Sequence, residues 1–374
     1  MITANGRISL RQLQILIILE IFGFGAVRAP GTSSALAGPD GWLCAVIASV
    51  IITVFAYMMC KAVENSRGGG FVSYVGNLAG KPVAAVFSTI IFVRIITVCA
   101  AQLRVYCDIV TSAVLPAVPF TAVAAVTLAV AAYAASRGIE ASARMAEILI
   151  VVVVISIAVI FTISAADADF SNLLPVAVSS SPTVIGRGTL ASLYSFRGIE
   201  FILLAVPFVS RPEKAARRTV SCVALTGILI AMMTALSTAR FGVYNATEMM
   251  WPFVEMMGAA RFPGVYFGRA DIVVMSFLAV SAFAFLSAGV FFSSTLLGGI
   301  FDSAETLPHK RTMLIVPAAA VIFVLAALPR NMDELTKIES LLDATLGTFV
   351  IIIIPLILLI SIRIRKYAER GGES

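Results

Sequence analysis

Seven stretches of this sequence run at least 18 residues without a charged side chain: 41–60, 109–136, 148–166, 219–239, 272–301, 312–329 and 344–362. Nothing else constrains the fold as strongly. A bilayer hydrocarbon core about 30 Å thick takes about 20 helical residues per crossing. The stretch 109–136 contains Pro116 and Pro119, so its spanning part is expected to begin near Phe120. Three further apolar segments hold charges, roughly 10–36, 83–115 and 188–209. The expectation is an all-α polytopic membrane protein with ten transmembrane helices, one integral membrane domain over residues 1–374.

Composition supports this. Hydrophobic residues make up 60% of the chain and charged residues 13%, about half the charge of a soluble globular protein. That excludes a water-soluble enzyme, a disordered chain and a disulfide-stapled secreted domain. A membrane β-barrel would show short strands of alternating polarity rather than long unbroken apolar runs. His309 is the only histidine, and Cys44, Cys60, Cys99, Cys107 and Cys222 lie in apolar runs without metal-binding spacing. The cysteines read as small buried hydrophobes. No catalytic constellation, cofactor or metal site is expected.

The net charge of +6 reflects basic loops rather than nucleic-acid affinity. With a cytoplasmic N-terminus, the ten-helix topology puts seventeen Lys and Arg in inside loops and six outside. The excess alternates correctly, so both termini are expected in the cytoplasm. Arg7, Arg11 and Ala35-Leu36-Ala37 imitate a signal peptide, but Glu20 and Arg28 interrupt the apolar run. An uncleaved first helix is expected. Phe71–Gly80 and Glu248–Glu255, the latter containing Trp251, fit either helices lying on the membrane surface or connecting helices packed on the bundle.

The ten spans divide into two sets of five with opposite starting sides, an inverted repeat of halves about 1–165 and 186–365. The first helix of each half places glycine beside charge near mid-membrane. Helix 1 reads Gly23-Phe24-Gly25-Ala26-Val27-Arg28-Ala29-Pro30; helix 6 reads Phe196-Arg197-Gly198-Ile199-Glu200, with Pro207 beyond. Discontinuous helices at matching places in inverted halves mark a transporter-type binding site. Both helices are therefore expected to be broken. Freed N–H groups and a positive dipole end would meet a carboxylate, and Glu200 an ammonium group, a site shaped for a zwitterionic amino acid.

The expected ligand-binding residues are Gly23, Phe24, Gly25, Ala26 and Arg28 from helix 1, with Phe196, Arg197, Gly198 and Glu200 from helix 6. A structural reading stands beside this one. Glu20 would neutralise Arg197 and Arg28 would neutralise Glu200, since buried membrane charges generally pair. Gly23 and Gly25 would then serve close helix packing. Arg104 and Asp108 are spaced to pair with each other. Arg94 has no evident partner in its own helix.

These residues resemble a known family. Ile8-Ser9 with Gln12, Gly23 to Pro30, Asp40-Gly41-Trp42, Arg137-Gly138-Ile139-Glu140 with Arg144, Leu174-Pro175, Phe196 to Glu200 with Pro207, and Arg269-Ala270-Asp271 occur in order along nearly the whole chain. This pattern is similar to the B subunits of nutrient germinant receptors of endospore-forming bacteria, in the amino acid–polyamine–organocation superfamily. The sequence departs at Arg28, where an apolar residue is usual, at Gly268, where an acidic one is common, and at Phe277, where tryptophan is usual.

The resemblance implies a pocket among helices 1, 3, 6 and 8 and a subunit sensing a small nutrient, often an amino acid. It implies an A-type membrane subunit and a C-type lipoprotein as partners in the spore inner membrane. An active amino acid/cation transporter of the same fold is the alternative.

Overall fold

A computed structural model describes residues 6–66, 70–176, 181–249, 251–258, 271–301 and 308–371. The first helix, α1 (Leu10–Ala37), starts at a capping box: Ser9 Oγ accepts from the Gln12 N–H, and Gln12 Oε1 accepts from the Ser9 N–H at 2.8 Å. A short 3-10 turn, Gly38–Asp40, leads into α2 (Gly41–Val63). The first half continues with α3 (Phe71–Ala79), α4 (Lys81–Ala113), α5 (Phe120–Ser136) and α6 (Ile139–Ala166). Thus α5 begins where Pro119 ends the preceding loop.

The second half opens with α7 (Pro182–Leu193) and, after an irregular segment, α8 (Phe201–Ala205). There follow α9 (Ala215–Glu248), kinked at Gly242, α10 (Pro252–Gly258), α11 (Asp271–Phe301) and α12 (Pro308–Ala327). The last span combines α13 (Met332–Leu342), π-helical turns at Asp343–Gly347 and Phe349–Ile353, and α14 (Ile354–Gly371). Arg269 and Ala270 of the expected motif fall outside the described residues.

Seven helical stretches are long and apolar enough to cross a membrane, one of them, Gly25–Val63, joining the second half of α1 to α2; Phe120–Ser136 and Met313–Ala327 are shorter apolar helices. Counting the joined stretch as two, the described residues supply ten spans. Outward side chains on α5 and α6, such as Val126, Val130, Ile148 and Val154, are more than half exposed or close to it. Apolar exposure of this kind suits contact with lipid.

The packing has the symmetry of two inverted halves. α1 packs on α9 while α2 packs on α7 and α8; α5 packs on α11 while α12 packs on α4. Exchanging the halves turns each pairing into the other. Small residues set the approach. A Cβ on Gly227 of α9 would lie 2.2 Å from Ser49 Cβ of α2, and one on Gly289 of α11 would lie 2.1 Å from Cys99 Sγ of α4. Without side chains at these points the helix backbones pack closely, which is how helices associate when lipid is as apolar as leucine.

One expectation is corrected. α1 runs unbroken through Gly23, Gly25 and Pro30. Its glycines serve contact: a Cβ on Gly23 would lie 2.5 Å from Ser281 Cβ, and one on Gly25 would lie 2.6 Å from Ile230 Cδ1 and 2.7 Å from the Ser195 carbonyl oxygen. A proline within a spanning helix bends it without requiring a gap, because neighbouring groups satisfy the freed backbone. The outer half of α1 therefore presents no free helix N-terminus.

α10 is a packed connecting helix. Phe253 and Met256 are fully buried, and Trp251 just before it stacks 5.6 Å from the Arg28 guanidinium. At the opposite end of the bundle, Ile8 donates to the Phe208 carbonyl and accepts from the Ser210 N–H, tying the N-terminal segment to the end of helix 6.

Candidate functional site

Helix 6 is broken where its sequence suggested. After α7 comes a 3-10 turn, Tyr194–Phe196; Arg197 is then extended, with φ −56° and ψ 146°. Gly198 has φ +96°. A side chain at Gly198 would be strained, and its Cβ would stand 2.9 Å from the Glu20 carbonyl oxygen. The chain turns onward through i to i+3 bonds: Phe201 N–H to Gly198, Ile202 N–H to Ile199 and Leu203 N–H to Glu200. Glu200 Oε2 accepts the Gly198 N–H at 3.1 Å, so the carboxylate caps the break from within.

Six charged side chains converge on this break from four spans. Arg94 of α4 donates from Nε to Glu200 Oε1 at 2.9 Å and from Nη1 to Asp343 Oδ1 at 2.6 Å. Arg197 donates from Nε to both Asp343 oxygens at 3.0 and 3.2 Å, from Nη2 to Asp343 and from Nη1 to Glu339. Arg28 completes the chain from α1, with Nη2 at 2.6 Å from Glu339 Oε2 and Nη1 at 3.2 Å from Thr336 Oγ1. Arg94, Arg197, Glu200, Glu339 and Asp343 are buried. Full pairing in a low-dielectric interior is what makes such charges tolerable.

This arrangement replaces the expected pairs. Arg28 does not meet Glu200, and Arg197 does not meet Glu20. Glu339 and Asp343 take up Arg28 and Arg197 because they stand four residues apart across the junction of α13 with the first π-helical turn, which brings both to the break. Sequence reading missed these two acids by placing them in a connection just before an uncharged run. The signal was present: Arg28, Arg94 and Arg197 within spans outnumber Glu20 and Glu200, and Asp343, with Glu339 four residues before it, borders the uncharged run 344–362. Arg94 finds its partners across the bundle. Arg104 and Asp108 do pair, at 3.2 Å.

Of the expected residues only Arg28 and Arg197 line a cavity beside the network; apart from Glu200 and Phe24, the others are packed away from it. Phe196 and Ala26 are buried, Gly25 faces the Ser195 carbonyl, and Gly23 faces Ser281. Phe24 contributes backbone to α1, and its side chain lies outside the described ones. Gly347 backs the Arg94 guanidinium, with a Cβ position 3.5 Å from Arg94 Cζ. It ends the first π-helical turn, a feature frequent at functional sites.

Two sizeable cavities adjoin the ion network, beside a small one of about 10 Å³. One, of about 290 Å³, is lined by Arg28, Thr32, Tyr194, Arg197, Glu339 and Asp343 among others. The second, of about 150 Å³, has apolar walls including Ile52, Phe55, Leu193 and Ile351, with Arg94, Arg197 and Asp343 at its polar end. Arg197, Asp343 and Tyr194 line both, so the network forms the partition between them. Chemically the partition consists of arginines held by carboxylates between two cavities.

A profile of the family described as spore germination protein matches residues 7–335. The chain belongs to the spore germination protein family. Spore germination protein YndE of Bacillus subtilis (strain 168) is 21% identical over the full length of both chains. Spore germination protein GerQB of Bacillus cereus is 23% identical, covering 92% of this chain and 93% of its own. Spore germination protein B2 of Bacillus subtilis (strain 168) is 20% identical over 98% of each. Among solved structures, that of MhsT in complex with L-phenylalanine superposes with a TM-score of 0.67 at 13% identity, covering 91% of this chain and 87% of MhsT.

That likeness shows a shared transporter-type fold. The chain is thus an integral membrane protein whose described residues supply ten spans in five-plus-five arrangement. Helix 6 supplies the interruption, and α1 remains whole.

Proposed function

We propose that the chain is the ligand-sensing membrane subunit of a spore nutrient germinant receptor. It takes up a small nutrient, an amino acid, in the mid-membrane region beside the helix 6 break. The break at Arg197 to Glu200, with Arg197 lining a largely apolar cavity of about 290 Å³ that also holds Arg28, Glu339 and Asp343 in its wall, carries this reading. Membership in the spore germination family supports the receptor role, and the MhsT complex with L-phenylalanine supports the ligand class. Gly23, Phe24, Gly25, Ala26 and Arg28 with Phe196, Arg197, Gly198 and Glu200 form the ligand region. A ligand carboxylate takes Glu339's place on Arg28, at the more accessible end of the network.

The receptor acts with an A-type membrane subunit and a C-type lipoprotein in the spore inner membrane, both termini of this chain facing the cytoplasm. Ligand need only shift the population of two states by its differential affinity for them, and partners read the shift. A second reading, an active amino acid/cation transporter, is favoured by the fold shared with MhsT. The two are separated in liposomes containing this chain alone, supplied with radiolabelled L-phenylalanine and a panel of other amino acids. The receptor reading expects saturable binding without accumulation, and a response in native membranes only with the A-type subunit. Accumulation driven by a proton or sodium gradient would establish the transporter instead.

A further inference from the structure

Glu20 stands apart from the network it borders. Its side chain is 1% exposed, and among the described residues neither carboxyl oxygen has a hydrogen-bond partner. It forms no ion pair with any described side chain. The charge that acts on it is like-signed, that of Glu200. Its backbone is locked against Gly198 at the break. An ionised carboxylate in this position would lack both solvation and a counter-charge, an arrangement buried groups avoid by neutralising.

Counting formal charge around the break leads to the same place. Arg28, Arg94 and Arg197 are engaged by Glu200, Glu339 and Asp343, and these six balance. Glu20 is a fourth carboxylate with no arginine left to meet it among the described side chains. One positive charge is needed, and a metal ion would need several oxygen ligands and space to hold them. Glu20 lines neither cavity. A proton needs neither space nor further ligands.

The geometry points to Glu20 as a proton-binding site at the helix 6 break, occupied by a proton at neutral pH in the state described here. None of the charged groups on the elements packed against α1 forms an ion pair with Glu20 among the described residues. The break brings Glu200 and Arg197, and α4 brings Arg94 and Cys99. α8 brings no ionisable side chain, nor does α11 from Val273 to Phe301. α2 offers Cys44, Tyr57, Cys60 and Lys61, the last paired with Glu64; α7 offers exposed Arg187; α9 offers exposed Arg217 and Arg218, Cys222, Tyr244 and Arg240, the last paired with Asp167; α10 offers Glu255; and α6 offers Glu140 paired with Arg144, and Glu147, which accepts from Gln12 at 3.1 Å. Because Gly198 rests on the Glu20 backbone, a rearrangement of the break alters the surroundings of Glu20, and hydrating it releases the proton. Proton occupancy and the state of the break are therefore linked, whichever role the subunit plays.

The test is infrared spectroscopy of the full chain in phosphatidylcholine–phosphatidylglycerol nanodiscs at pH 7. Wild type should show a carboxylic-acid carbonyl band that shifts in heavy water. Glu20→Gln, which imitates the neutral acid, should fold and lose that band; Glu147→Gln should keep it. Glu20→Asp should move the band to a new frequency, which settles the assignment even if Glu20→Gln does not fold. Absence of a protonated acid in wild type, or a band that Glu20→Asp leaves in place, would overturn the proposal. So would stoichiometric binding of radioactive sodium that Glu20→Gln abolishes, since a metal cation would then hold the place of the proton.

Discussion

Replacing Asp343 by asparagine keeps the side chain's shape and removes the charge that joins two buried arginines. Asp343 is 2% exposed, 2.6 Å from Arg94 Nη1 and 3.0 Å from Arg197 Nε. Removing one member of a buried ion pair costs about 3–5 kcal/mol, because the partner is left uncompensated. Here each arginine keeps another carboxylate, Glu200 for Arg94 and Glu339 for Arg197. The loss should therefore fall near the lower end, about 3 kcal/mol. Asp108→Asn is the comparison: its pair with Arg104 is partly exposed and reaches 3.2 Å, so its loss should be about 1 kcal/mol or less. Reversible unfolding in mixed micelles, followed by the fluorescence of Trp42 and Trp251, measures both. A double-mutant cycle of Asp343→Asn with Arg94→Gln should show coupling of the two changes. Equal losses for Asp343→Asn and Asp108→Asn, with no coupling in the cycle, would refute the view that Asp343 bridges the arginines.

Three further outcomes follow from the packing. Gly25→Val places methyl groups where Ile230 and the Ser195 carbonyl already approach within 2.7 Å; it should destabilise by about 1–3 kcal/mol, the usual range for overpacking, in the same unfolding assay. Gly198→Ala meets both a positive φ and the Glu20 carbonyl at 2.9 Å. It should lower the unfolding midpoint clearly more than Gly186→Ala, where nothing lies within 4 Å. For orientation, single cysteines at Asp167 and Glu334 should react with a membrane-impermeant maleimide from outside and one at Lys214 from inside; labelling of all three from one side would contradict the ten-span topology.

Much of this architecture was legible because lipid imposes a one-dimensional rule. A span must be about 20 residues long and nearly free of charge, whatever its neighbours, so α5 starting at Phe120 could be read from Pro116, Pro119 and the run beyond. The break in helix 6 was legible for a local reason: glycine between arginine and glutamate in an apolar segment places backbone freedom beside charge, and Gly198 has the positive φ that needs it. In α1 the same local vocabulary was ambiguous. Gly23 and Gly25 permit a break or a close contact, and Ser281, Ile230 and Ser195, distant in sequence, decided for contact.

Partner choice among the charges belonged wholly to the tertiary structure. Arg28, Arg94 and Arg197 were visible as span residues, but an ion pair forms only where two helix faces meet within about 4 Å, and sequence does not state which faces meet. Glu339 and Asp343 looked like loop acids until α13 carried them to the break. Glu20 looked like a partner for Arg197 until Asp343 and Glu339 occupied that guanidinium. The sequence determined which residues must leave water and the approximate place where helix 6 could open. Packing decided which charges find one another, because burial is a property of each segment while pairing is a property of the assembled bundle.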